Sequence, residues 1–98
     1  MDKMKLRQDI NKLDSGYCGM IIDSKDGKDL EYLQGCLVAT NIVADKCLDA
    51  TDLEVDVGTL VTWTTEMCKE YPDDLFFAGK RDGLKQCLVL ITGGRYDG

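Results

Sequence analysis

The run Asp52-Leu53-Glu54-Val55-Asp56-Val57-Gly58 sets carboxylates at alternate positions ahead of a glycine, a spacing that could gather oxygen ligands around calcium. A calcium loop needs a glycine at its sixth position and a bidentate glutamate at its twelfth. Counted from Asp52, the glycine comes seventh, Trp63 stands twelfth, and valines fill intervening ligand places. These acids therefore read as the wet face of an amphipathic element, and no metal is expected. Asp73 and Asp74 are adjacent carboxylates, an arrangement that can raise one pKa for acid–base work. Such work also needs a pocket and a positioned substrate. The chain has no histidine, which removes serine–histidine and cysteine–histidine pairs, histidine bases and histidine metal ligands. Cys68 lies near the expected C-terminal end of a helix, where the dipole disfavours a thiolate.

Phosphate-binding loops are missing as well: neither GxGxxG nor GxxxxGK[ST] occurs. Gly79-Lys80-Arg81-Asp82-Gly83 reads as a solvated turn with two cations. Lys3, Lys5, Arg7 and Lys12 could join Lys80, Arg81 and Lys85 in one basic face, but no aromatic residues interleave them and direct nucleic-acid contact is not expected. The five cysteines (Cys18, Cys36, Cys47, Cys68, Cys87) are odd in number and form no CxxC pair. Their neighbours are apolar or helix-patterned, so they read as reduced core thiols. Neither an enzyme nor a cofactor site is expected.

Charge is the strongest remaining signal. Residues 1–28 carry six bases and five acids, residues 29–78 eleven acids and two bases, and residues 79–98 four bases and two acids. The segments therefore carry +1, −9 and +2, which give the formal net charge of −6. Asp45, Asp49, Asp52, Glu54 and Asp56 fall close together, followed by Glu66, Glu70, Asp73 and Asp74. Only Lys46 and Lys69 interrupt them. Charge of one sign steers association and selects partners rather than folds. These nine acids are the candidate partner-binding residues, and a protein with a basic surface is the expected partner.

The elements that must carry these residues follow from periodicity. Leu6, Ile10 and Leu13 predict a helix with Asp2 as a start and Gly16 as a stop. Tyr17 to Asp23 is a compact apolar run and reads as a strand covered on both faces. Residues 28–48 predict a helix with the stripe Leu30, Leu33, Leu37, Thr40 or Asn41, Ala44 and Cys47 or Leu48. Gly35 inside it calls for a close-packed neighbour. Residues 52–71 fit a helix in which Thr51 and Glu54 make a capping box, with a short strand over 52–57 as the alternative. Asp73 to Ala78 predicts one helical turn after Pro72, and Lys85 to Thr92 a second buried strand.

The expectation is an α+β fold, about three helices packed on a small two- or three-stranded sheet, in one domain over residues 1–92 with a flexible tail over 93–98. No apolar run approaches the roughly 18 residues that a membrane span requires, and no signal-peptide pattern opens the chain, so a cytoplasmic protein is expected. Small size, acidity and missing catalytic motifs are traits shared with small phage or mobile-element inhibitors of host nucleases. The expected function is an acidic protein-binding inhibitor or regulator that occupies the nucleic-acid-binding surface of a partner, such as a nuclease. The alternative is a structural or oligomer-forming domain, a homodimer included, with a small ligand at its interface.

Overall fold

Aspartates mark three helix starts. In the computed structural model, which describes residues 3–49 and 51–96, the helices are α1 Lys3–Asp23, α2 Gly27–Lys46, α3 Leu53–Glu70 and α4 Leu75–Ile91. The carboxylates of Asp26, Asp52 and Asp74 accept the backbone N–H of Lys28, Val55 and Phe77 respectively. Each satisfies an orphan amide and sets negative charge at the positive end of a helix. At the other end of α4 the Gly94 N–H donates to Val89 O at 2.9 Å and the Gly93 N–H to Leu90 O at 3.3 Å. This double bond pattern needs a left-handed residue, and Gly93 supplies it with φ 64°.

The α+β expectation is thereby corrected: the described residues form four helices and no strand. Residues 17–23, expected as a strand, are the last turns of α1. Residues 85–92, expected as the second strand, are the last turns of α4 and its C-cap, Thr92. A short apolar run carries no period that separates a strand from a helix. The glycines reinforced the error, because they read as punctuation. Among the described residues only Gly93 and Gly94 have positive φ. Gly16 therefore does not stop α1, and Gly79-Lys80-Arg81-Asp82-Gly83 is not a turn but a continuous helical stretch within α4. The 28–48 and 52–71 helices stand, and residues 52–57 are not a strand. The cap of α3 is Asp52 rather than Thr51.

Gly79 and Gly83 serve close approach. A Cβ on Gly79 would overlap the Tyr32 carbonyl, and one on Gly35 would overlap the Phe76 carbonyl and lie 2.7 Å from the Lys80 nitrogen. A Cβ on Gly83 would lie 2.8 Å from that of Ala39. The close neighbour expected for Gly35 is thus the backbone of α4. Residues rise together along this seam, Tyr32 against Gly79 and Ala39 against Gly83, so α2 and α4 run parallel. They form the central pair, with α1 packed on α2 and α3 on α4.

Hydrophobic burial concentrates at one pole, where α1 and α3 begin and α2 and α4 end. Leu6, Ile10, Ala39, Val43, Cys47, Leu53, Val57, Val61, Leu84, Cys87, Leu88 and Ile91 form this core. The half-buried Tyr96 packs against it, its N–H donating to Thr92 Oγ1 at 3.0 Å. The stripe expected on α2 is rotated. Leu33, Thr40 and Cys47 are buried, but Cys36, Ala39 and Val43 take the places expected of Leu37 and Ala44, because α2 must face α1 and α4 together. No helix among the described residues is long and apolar enough to cross a membrane.

Candidate functional site

The far end of the α2–α4 seam is polar. The Tyr32 hydroxyl donates to Asp82 Oδ2 at 2.5 Å, and Arg81 Nε donates to Asp82 Oδ1 at 2.9 Å. Burial opposes the charge on Asp82, but these two donors outweigh it and hold the carboxyl below its usual range. Burial, the hydrogen bond to Asp82 and its charge raise the Tyr32 phenol above its usual value. Burial and then the nearby Cys36 do the same to Tyr17. Burial and then Asp82 push the Cys36 thiol up to about 11. Burial, with Asp14 nearby, pushes the Cys87 thiol up to about 12. A hollow of about 330 Å³ opens over Tyr17, Tyr32, Asp82 and Lys85. Every shift moves its group away from neutrality, so protons stay fixed near pH 7. The Tyr32–Asp82 bond thus ties α2 to α4.

Asp14 and Thr40 make a second tie, with Thr40 Oγ1 2.5 Å from Asp14 Oδ1. It joins α1 to α2 beside the core. Of the five thiols, Cys36, Cys47 and Cys87 are buried, Cys68 is half-buried and Cys18 is exposed. The core placement expected of all five fails for Cys18, since residues 17–23 lie on the rim of α1 and not in a covered strand.

The nine candidate acids are distributed by α3. Its 18 residues span about 27 Å, and acids lie at both ends. Asp45, Asp49, Asp52, Glu54 and Asp56 gather at the α2–α3 connection. Asp45, Asp49 and Asp56 line one depression of about 300 Å³ with Lys46. Glu66, Glu70, Asp73 and Asp74 gather at the α3–α4 connection. There Glu70, Asp73 and Asp74 line a groove of about 460 Å³ with Tyr71 and Pro72. Eight of the nine are exposed, and Asp74 is half-buried at its cap. The nine acids thus form two acidic poles rather than one cluster, with α3 packed on α4 between them. Among the described residues, ion pairs reach two of the acids: Glu66 to Lys69 at 3.3 Å and Glu54 to Arg95 at 3.9 Å. Both lie in solvent, where such pairs are weak.

Two residues of this surface went unread in the sequence. Glu31 joins the second groove, which only the register of α2 on α4 reveals. Trp63, the sole tryptophan, stands between the poles with 74% of its surface in solvent. Its signal was present. Leu53, Val57, Val61 and Thr64 mark the buried side of α3, and helical spacing places Trp63 opposite them with Asp56, Thr59, Glu66 and Glu70. No protein-family model, curated protein or solved structure matches this chain.

A separate apolar rim lies at the end of α1. Ile22 is 82% exposed and Met20 57%, beside a groove of about 610 Å³ that Met20 shares with Asp23, Asp26, Asp29, Tyr32 and Leu33. Neither Gly16 nor Gly19 has any atom within 4 Å of a notional Cβ, so this stretch of α1 presents bare backbone to solvent.

Proposed function

We propose that this chain is a small acidic protein-binding module, an inhibitor or regulator that occupies a basic, nucleic-acid-binding surface of a partner protein. One observation carries the reading: eight acids stand exposed around the two ends of α3, on a rigid helical support, with few cations near them. Fixed negative charge at such a spacing presents to a basic groove the kind of charge a phosphate backbone does. The polar seam is compatible with the same reading, since its groups do not change protonation near neutrality. The free thiols fit a reducing compartment such as the cytoplasm.

The test is kinetic. A partner captured on the wild-type protein is measured against the triple variant Asp45→Lys, Asp49→Lys and Asp56→Lys, none of which caps a helix. Association with wild type is expected to slow steeply between roughly 0.05 and 0.5 M salt. The triple variant is expected to lose at least tenfold in affinity while its helical signal is kept. An association rate that ignores salt and an unchanged variant would refute the proposal.

The exposed Met20 and Ile22 favour a second reading, an oligomer-forming domain that buries this rim against another copy. Light scattering coupled to size exclusion separates the two, because only the second predicts a tight dimer that Ile22→Asp dissociates.

A further inference from the structure

On the exposed side of α3, Asp52, Asp56, Thr59, Trp63, Glu66 and Glu70 follow one another at spacings of four and three, the repeat that keeps side chains on one helical face. All six are exposed. Val55, 59% exposed, borders them. Thr59 and Thr62 turn their hydroxyls back to the carbonyls of Val55 and Gly58 at 2.9 and 3.1 Å. The face is therefore an apolar centre with a carboxylate pair at either end.

We infer that this face of α3 is the docking surface for an arginine-bearing basic protein segment, with one guanidinium stacked on Trp63 and held by the flanking carboxylates. The inference rests on the acidic-module reading above and names the chemistry its partner must have. Charge complementarity sets the sign of the occupant: Asp52, Asp56, Glu66 and Glu70 frame the indole, Lys69, the one cation within α3, is paired with Glu66, and Lys46 borders Asp56 at the α2–α3 connection. The indole then selects among cations. Tryptophan is the best aromatic face for a cation, and arginine uses it more often than lysine. A guanidinium is planar and weakly hydrated, so it stacks on a ring while its edge still forks to a carboxylate. An ammonium is compact and strongly hydrated and gains less from the same face. Exposed aromatics ringed by polar groups are also what interface hot spots are made of.

Trp63 is the chain's only tryptophan, so its fluorescence reports on this face alone. Synthetic nona-arginine and nona-lysine peptides are titrated into the full chain at low and at physiological salt. Nona-arginine is expected to change the Trp63 emission and to bind more tightly than nona-lysine. Trp63→Ala is expected to weaken nona-arginine by about five- to thirty-fold and nona-lysine far less. Trp63→Phe, which keeps a ring, should fall between, and circular dichroism should show both variants as helical as wild type. Salt-dependent binding of both peptides with equal affinity, and no effect of Trp63→Ala, would overturn this inference and leave the acidic module standing. Failure of both peptides to bind at low salt would overturn this inference and the acidic-module reading together.

Discussion

Tyr32 and Asp82 meet across the parallel seam of α2 and α4, with the phenolic hydrogen given to the carboxylate at 2.5 Å. Removing that hydroxyl with Tyr32→Phe is expected to cost about 1 kcal/mol, the charged acceptor raising the figure and partial exposure lowering it. The same pair sets a pH dependence. The carboxyl of Asp82 is held below its usual value in the fold, so its contribution is complete above the ordinary carboxylate range and is lost as pH falls through the folded value. Thermal melts below about pH 4 should therefore fall less steeply for Asp82→Asn than for wild type. A parallel acid limb in the two proteins would show that Asp82 is no part of this dependence.

Glycine exchanges should split by position. A methyl at Gly79 meets the Tyr32 carbonyl, and Gly79→Ala is expected to lose on the order of 2 kcal/mol because overpacking outweighs the gain in helix propensity. Gly58 and Gly19 have nothing within 4 Å of the added carbon, so Gly58→Ala and Gly19→Ala should each gain about 0.5–1 kcal/mol. Denaturant melts with constant slope measure both signs.

These glycines also explain which parts of the fold could be read. The helices over 28–48 and 52–71 were legible because polar residues interrupt their apolar ones at a helical period. Tyr17 to Ile22 and Cys87 to Ile91 were not, because apolar residues stand on nearly every side and no period survives. Gly79 and Gly83 have the same letter as a turn residue, and their true use depends on a helix more than forty positions away. The acids were legible as a surface, since charge stays in water. Their division into two poles was not, because it depends on α3 leaning on α4.

The start of α3 offers a third measurement. Asp52 accepts the Val55 N–H at 3.2 Å, so Asp52→Ala should cost about 1 kcal/mol and Asp52→Asn much less. Thr51→Ala should be silent. A loss at Thr51 equal to that at Asp52 would restore the capping box anticipated from Thr51 and Glu54.

Thiol labelling resolves the cysteines by depth. In native protein Cys18 should react first with an aromatic disulfide reagent and Cys68 more slowly. Cys36, Cys47 and Cys87 should resist until the chain unfolds, because they are buried. Burial also keeps the Cys36 and Cys87 thiols protonated, with pKa values near 11 and 12. Peptide mass mapping after timed alkylation gives the order, and early labelling of Cys87 would contradict the packing of α4.

The glycine seam joins helices that the chain does not make neighbours. Tyr32 and Gly79 touch although 47 positions separate them, and α3 must cross between. The molecule is thus two helical hairpins, α1–α2 and α3–α4, whose closest contact lies between them rather than within either. Most helical bundles fold fast because their contacts are local. Here the decisive contact waits on the closure of a long loop, so folding should be slow for an all-helical chain and strongly cooperative. Neither hairpin has a finished core alone, since Leu6 and Ile10 come from one and Val57 and Leu84 from the other. Order in one half is therefore conditional on the other, and a partner that grips α3 would stabilise α1 as well, though it never touches it.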